Sequence, residues 1–193
     1  MFALSDTVDE LLMPYGPPKD AERKIFISYR RQDSQHIVGR IYDHLALAFG
    51  EPAVFKDVES IPLGSDFRKE IGRSLNGCVI VIVVIGPGWV EAKDRDGNRR
   101  LNEPSDYLRL EIETALKSSS TVFPLVVEGA SMPPATALPD ELSELAFLNC
   151  AEVRNDPDFR ADMGKVISAI QPYLKDYQRP TREERSSAIQ PML

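Results

Sequence analysis

Short apolar runs of strand length alternate along this chain with segments in which apolar residues recur every three to four positions. The apolar runs predict five strands, at residues 24–28, 53–55, 78–85, 121–127 and, less clearly, 148–153. The periodic segments predict helices, at residues 37–49, 66–75, 104–116 and 158–174, with a shorter one at 139–146. Strands that alternate with helices are typical of βαβ units and a parallel sheet.

The third strand shows where the middle of that sheet lies. Residues 79–85 read Val-Ile-Val-Ile-Val-Val-Ile, with no alternation of apolar and polar positions. A strand with this pattern is covered by helices on both faces. We therefore expect a three-layer α/β fold with this strand at the centre of the sheet.

Composition narrows the class of protein. The chain has 193 residues, of which 42% are hydrophobic and 27% charged, which is enough for one ordinary globular core. A net charge of −7 argues against a nucleic-acid partner, because phosphate contacts require clustered Lys and Arg. The longest apolar run, 78–85, is far below the roughly 20 residues that span a bilayer. We expect no membrane anchor and a cytoplasmic location.

Two ends of the chain differ from its middle. Residues 1–22 contain three prolines without sustained periodicity and indicate an N-terminal leader or linker. Residues 175–193 are charged, contain two prolines and indicate a flexible C-terminal tail. The predicted domain is therefore residues 23–174. Its two cysteines, Cys78 and Cys150, have no metal-like spacing and are expected to be buried thiols.

A dense polar cluster follows the first predicted strand. Ser28, Tyr29, Arg30 and Arg31 come directly after the apolar run. In open α/β folds, ligands bind beyond the carboxyl ends of the strands, so this cluster indicates a binding surface. Asp33 or Ser34 is then expected to cap the helix that follows.

The helix predicted at 104–116 offers a candidate catalytic carboxylate. At about 100° per residue, Leu108 and Ile112 belong to one apolar face, and Glu111 falls at its edge beside Tyr107. A carboxylate at the border of a buried face can line a cleft, whereas one on the open face is usually only solvated. Leu110 is expected to point away from the core, which hints at a subunit contact.

Three segments in order resemble a known family. Residues 26–31 (FISYRR), 54–64 (VFKDVESIPLG) and 106–112 (DYLRLEI) are similar to the characteristic segments of Toll/interleukin receptor (TIR) domains, especially the bacterial NAD-cleaving type. The resemblance covers roughly residues 23–174 and implies a flavodoxin-like three-layer sandwich with strand order 2-1-3-4-5.

The resemblance also implies an activity. A TIR enzyme would be an NAD+ glycohydrolase or cyclase that breaks the nicotinamide–ribose bond, with Glu111 as catalytic residue, NAD+ as substrate, and no metal or further cofactor. Water as acceptor would give ADP-ribose, and an internal acceptor a cyclic product. By the same mapping, the substrate-binding residues are Tyr29, Arg30, Arg31, Phe55, Asp57, Leu63, Gly64, Asp106 and Tyr107. Tyr107 stands where the NAD-cleaving relatives often have tryptophan.

Partners follow from the resemblance as well. The loop Asp57 to Gly64 would help to complete a site shared between neighbouring subunits, in a homo-oligomer or filament fed by a fused or separate sensor protein. Such an enzyme would act in bacterial defence or cell-suicide signalling. The alternative is a non-catalytic interaction module that works by homotypic association, and Glu111 is the residue that separates the two. A nucleotide-binding fold of receiver type is disfavoured, because no Gly-rich phosphate loop follows the first strand.

Overall fold

The computed structural model describes residues 24–56, 66–75 and 77–174. The strands are β1 (Ile25–Ser28), β2 (Val54–Lys56), β3 (Ile80–Ile85), β4 (Thr121–Val127) and β5 (Ala151–Val153). The α-helices are α1 (Arg31–Phe49), α2 (Phe67–Leu75), α3 (Tyr107–Lys117) and α4 (Phe159–Ile170). Short 3₁₀ segments complete the described part, at Glu51–Ala53, Arg100–Asn102, Ala135–Ala137, Asp140–Phe147 and Gln171–Leu174.

The five strands form one parallel sheet in the order β2-β1-β3-β4-β5. In the register, Ser28 at the end of β1 lies beside Val83 of β3. The predicted α/β fold with strand order 2-1-3-4-5 is therefore confirmed. Because the chain moves to opposite sides of β1 to reach β2 and β3, the carboxyl end of β1 borders the crevice where open α/β sheets bind ligands.

Helices cover both faces of the sheet, as the third strand predicted. Ile80, Ile82 and Val84 pack into a core cluster with α1 and α4. Val81 and Val83, together with Ile85, belong to a second cluster with α2 and α3. All six residues of β3 are buried, and each large aliphatic side chain contributes about 1.5–3 kcal/mol through its removal from water. The sheet is thus a rigid base for the groups at its carboxyl edge.

The start of α1 differs from the prediction. The helix begins at Arg31, with Arg30 as the N-cap residue and no side-chain cap hydrogen bond, so the prediction that Asp33 or Ser34 caps it is wrong. The backbone leaves helical geometry at Ser34. The carboxylate of Asp33 accepts a hydrogen bond from the Gly88 backbone N–H at 2.6 Å, in the loop after β3. The Asp33 side chain therefore links α1 to the loop after β3 and does not cap the helix.

Three further predictions about helical segments differ from the structure. The helix predicted from residue 104 begins at Tyr107, because the Asp106 side chain caps it by accepting from the Arg109 backbone N–H. The segment predicted as a short helix at 139–146 is a 3₁₀ helix, Asp140–Phe147. Leu110 was expected to face outward, but it is partly buried and packs against the second core cluster.

Several predicted features lie outside the described residues. They are the leader 1–22, the tail 175–193 and the loop Asp57 to Gly64. Cys78 is buried, Cys150 is partly buried, and they are not joined by a disulfide. Among the helices of the described ranges, none is long and apolar enough to cross a membrane.

Candidate active site

Glu111 lies in the second turn of α3, where the helix passes the carboxyl end of β1. The residue is only 9% exposed. The Ser28 hydroxyl, on the last residue of β1, donates a hydrogen bond to Glu111 Oε2 at 2.6 Å. This short hydrogen bond ties the Glu111 side chain to the last residue of β1 and so fixes its carboxyl group at the edge of the sheet.

A second link joins the same two segments. Both terminal nitrogens of Arg30 donate to the Asp106 carboxylate, each at 3.2 Å. The two side chains are each 2% exposed. A fork-to-carboxylate pair in this setting fixes orientation as well as distance.

The two links have matching spacing. Ser28 and Arg30 are two residues apart on extended backbone, which spans about 6.6 Å. Glu111 and Asp106 are five residues apart along α3, which spans about 7.5 Å of helix axis. Ser28 bonds Glu111, whereas Arg30, two residues later, bonds Asp106, five residues earlier than Glu111. The helix α3 therefore runs antiparallel to β1 and is bonded to this segment at two points. The position of Glu111 therefore depends on both links.

The Asp106 carboxylate also accepts a hydrogen bond from a second arginine. Arg100, in the 3₁₀ segment before α3, donates from Nε to Asp106 Oδ2 at 2.9 Å. Its side chain is 33% exposed, in contrast to that of Arg30. Two guanidinium groups thus share one carboxylate at the start of α3, and the cluster of these three residues carries a formal charge of +1.

Arg109 fixes the outer side of α3. The residue is 8% exposed. Its Nη1 donates to the backbone oxygens of Leu101 and Asn102, at 3.3 and 3.0 Å. Its Nη2 donates to Glu141 Oε2 at 2.9 Å. These bonds hold the first turns of α3 against the segment that carries Arg100 and against the 3₁₀ helix Asp140–Phe147.

The structure brings together part of the predicted site. Arg30, Asp106 and Glu111 meet at the carboxyl end of β1. Tyr107, at the first position of α3, is 47% exposed beside them. Arg31 is exposed on the first turn of α1.

Two further predicted residues lie on opposite faces of the sheet. Tyr29 packs against the cluster formed with α1 and α4. Phe55 is buried in the other cluster, with its ring centroid 4.9 Å from that of Phe26. Asp57, Leu63 and Gly64 lie outside the described residues. That any of these residues binds substrate stays a prediction.

The sequence analysis missed the residues that hold the site in place. Ser28 was noted as part of the polar cluster but not as the partner of Glu111, and its place at the end of β1 was the available signal. Arg100 and Arg109 gave no separate signal, because charged residues are common on both sides of them.

A glycine requirement was also missed. A Cβ atom added to Gly86 would lie 2.3 Å from Asp33 Oδ2, and one added to Gly88 would lie 3.1 Å from Asp33 Oδ1. Real Cβ atoms do not approach other atoms within 3.0 Å. Gly86 and Gly88, in the loop after β3, therefore allow the carboxylate of Asp33 on α1 to approach that loop closely.

Two cavities in the described part of the chain lie apart from Glu111. The larger, about 670 Å³, is at the amino edge of the sheet, between the ends of α2 and α3, and its lining includes Arg73, Cys78 and Ser119. The smaller, about 360 Å³, lies between the loops after β3 and β4. Within the described ranges, no group of three or more His, Cys, Asp or Glu side chains is placed to hold a metal ion.

Comparison with known proteins agrees with this architecture. A family model described as "TIR domain" matches residues 25–167. A similar solved structure is that of the TIR domains in the activated Roq1 resistosome directly recognizing the pathogen effector XopQ. The two chains are 15% identical, the match covers 80% of this chain and 98% of that chain, and the TM-score is 0.52. At this identity the likeness concerns the fold.

Proposed function

Because the TIR family model matches well over half of its residues, this chain belongs to the TIR domain family, and we propose that it is an NAD+ glycohydrolase or cyclase. NAD+ is the substrate, and no further cofactor is proposed. The observation that carries the proposal is the Glu111 carboxylate, buried at the carboxyl edge of the sheet and bonded to Ser28.

The proposed reaction breaks the bond between the ribose C1′ and the nicotinamide nitrogen. The electron pair of that bond leaves with nicotinamide, whose ring nitrogen becomes neutral, and positive charge develops on the ribose. A fixed carboxylate stabilises such an oxocarbenium-like state, and it does so more strongly where water is excluded. Glu111, at 9% exposure, meets both conditions. Attack by water at C1′, with loss of a proton to solvent, then gives ADP-ribose, and attack by an atom of the same molecule gives a cyclic product.

We further propose that the chain acts in self-assembled form. One solved structure with a similar fold is that of TIR domains in a resistosome, and the segment Asp57 to Gly64 is the predicted contact between subunits. The assembly would be a homo-oligomer or filament triggered by a sensor, fused or separate, in a cytoplasmic defence or cell-suicide pathway of a bacterium.

The test is NAD+ consumption with chromatography of the products, at high protein concentration with a crowding agent. Three proteins are compared: the wild type, Glu111→Gln and Glu113→Gln. The first substitution removes the charge while keeping the shape of the side chain. Glu113, on the same helix, pairs with Lys117 at the surface and serves as the matched control. Loss of one charge-stabilising group costs about 100- to 1,000-fold in rate.

We expect Glu111→Gln to lose at least about 100-fold and Glu113→Gln to retain wild-type turnover. Wild-type turnover by Glu111→Gln would remove Glu111 from the mechanism. If the wild type assembles, as shown by light scattering, and yet consumes no NAD+, the chain is a non-catalytic interaction module.

A further inference from the structure

We infer that Arg100 is the residue of this site that binds a phosphate group, in particular the pyrophosphate of a dinucleotide. The inference rests on the proposed function and deepens it, because the sequence assigned this part of substrate binding to Arg30 and Arg31. Its basis is the way in which two arginines share the Asp106 carboxylate: Arg30 bonds both oxygens, and Arg100 bonds Oδ2 through Nε alone.

Arg30 is already paired with Asp106. Its side chain is 2% exposed, and both terminal nitrogens donate to Asp106. A substrate phosphate could reach this guanidinium only by breaking a buried ion pair, which would leave the Asp106 charge poorly compensated. Arg30 is therefore a positioning residue for α3 and, through α3, for Glu111.

Arg100 has the opposite arrangement. Its Nε is bonded to Asp106, while its two terminal nitrogens have no hydrogen-bond partner among the described residues, and a third of its side chain is exposed. The bond at Nε restricts the side chain, so less conformational freedom is lost when the outer edge of the guanidinium binds a ligand. A planar guanidinium with two adjacent N–H groups matches two oxygens of a phosphate.

The two arginines and Asp106 together have more hydrogen-bond donors than acceptors, and the donors that solvent can reach are the terminal nitrogens of Arg100. Four N–H groups converge on the two oxygens of Asp106, namely Arg30 Nη1 and Nη2, Arg100 Nε and the Arg109 backbone N–H. The Nε of Arg30 is buried without a hydrogen-bond partner in the described part of the chain. With two guanidinium groups to one carboxylate, the cluster carries one uncompensated positive charge. An anion bound at Arg100 supplies acceptors for its terminal nitrogens and balances this charge.

The place of Arg100 suits a dinucleotide whose ribose lies at Glu111. Asp106, to which Arg100 is bonded, and Glu111 are separated by about 7.5 Å of helix axis. In the substrate, the C1′ carbon that reacts and the 5′ oxygen that carries the pyrophosphate are attached to the same ribose. Tyr107, exposed between Asp106 and Glu111 on α3, offers an aromatic surface beside this path.

The experiment measures ligand binding separately from turnover. Equilibrium dialysis is performed under the turnover conditions with two probes: ADP-ribose, which has the pyrophosphate, and nicotinamide riboside, which has no phosphate. The proteins are the wild type, Arg100→Ala, Arg100→Lys and the control Arg95→Ala. Arg95 is an exposed residue of the same loop. Thermal melting shows whether each variant is folded.

We expect Arg100→Ala to bind ADP-ribose at least about tenfold more weakly, since a charge-assisted contact to the phosphates is lost. Its affinity for nicotinamide riboside should be unchanged, and Arg95→Ala should bind both probes as the wild type does. Arg100→Lys keeps the charge but lacks the planar guanidinium that bonds Asp106 through Nε and a phosphate through the terminal nitrogens, so its affinity for ADP-ribose should lie between those of the wild type and Arg100→Ala. In turnover, Arg100→Ala should raise KM more than it lowers kcat.

Unchanged ADP-ribose affinity in Arg100→Ala would overturn the inference, as would an equal loss for both probes or failure of the wild type to bind ADP-ribose. These results are separable from those on the proposed function. If turnover depends on Glu111 but not on Arg100, the proposed enzyme activity stands and the phosphate subsite at Arg100 is refuted. If ADP-ribose binding depends on Arg100 but no turnover is seen, the phosphate subsite stands and the proposed enzyme activity is refuted.

Discussion

Replacement of Arg30 by methionine tests whether the Arg30–Asp106 pair is part of the framework or part of the substrate site. Methionine is unbranched and apolar, and it removes the charge while filling much of the same space. The pair is well defined, with two hydrogen bonds at 3.2 Å between side chains that are each 2% exposed.

The expected loss of stability can be estimated from this geometry. Removal of one partner from a buried ion pair costs about 3–5 kcal/mol, mainly because the other charge is left uncompensated. In this chain Arg100 still donates to Asp106 at 2.9 Å, so we expect a value near the lower limit, about 3 kcal/mol. For a domain of this size, each kcal/mol lowers Tm by about 2–4 °C, which gives a decrease of roughly 6–12 °C.

The assay is thermal unfolding followed by circular dichroism, with urea unfolding to obtain the free energy directly. The matched control is Arg73→Met. Arg73 also donates to a carboxylate, Glu70, at 2.6 Å, but its side chain is 74% exposed. An exposed pair of this kind contributes about 0–1 kcal/mol, so the control should melt within about 4 °C of the wild type.

Two results would refute the reasoning. If Arg30→Met melts within the range of the Arg73→Met control, the buried pair does not stabilise the fold. If, in addition, the variant remains as stable as the wild type but binds ADP-ribose more weakly, then Arg30 contacts the substrate, as the sequence predicted. In that case the assignment of the phosphate to Arg100 would also be in doubt.

Two further predictions concern parts of the fold outside the site. Hydrogen bonds, chiefly from Arg154, hold the pKa of the Asp162 carboxyl below its ordinary value of 3.8. Because a lowered folded-state pKa stabilises only the ionised form, this contribution is complete above that value and is lost as the pH falls below it. Asp162→Asn should therefore lower Tm at pH 7, and its difference from the wild type should shrink in melts below pH 4; a constant difference would contradict this. Gly86→Ala should destabilise the fold, because the new Cβ meets Asp33 Oδ2, and Asp33→Ala in the same chain should restore part of the loss. If the double variant melts no higher than Gly86→Ala alone, the close contact is not the cause.

Periodicity was sufficient to predict the layers of this fold. The uninterrupted apolar run 79–85 indicated a strand buried on both faces, and residues 80–85 do alternate between the two core clusters. Such a pattern is local, since every residue that defines it lies within a few positions. The helical spacing of Leu108 and Ile112 placed Glu111 at the border of a buried face for the same reason. The order of the strands came from the family resemblance, since local patterns carry no information on which strands are neighbours.

The pairing of charged side chains was not predictable in this way. Arg30 and Arg31 are identical and adjacent, and the sequence analysis treated them alike. In the structure Arg30 is buried against Asp106, 76 residues away, while Arg31 is exposed. The difference arises because the chain leaves β1 with Arg30 still extended and then turns into α1. Which of several arginines meets Asp106 is thus decided by the direction of the chain after β1, and spacing alone does not encode that direction.

The anchoring of Glu111 limits how self-assembly could control the proposed reaction. Ser28 and the Arg30–Asp106 pair belong to the same chain as Glu111, and both links are formed within a single subunit. A carboxylate held in this manner is already in place before a second subunit arrives. If association activates the chain as proposed, it must therefore act on the binding of substrate rather than on the position of the catalytic group. The predicted loop Asp57 to Gly64 of a neighbouring subunit would complete a cleft whose phosphate end is fixed by Arg100 and whose reacting end is fixed by Glu111.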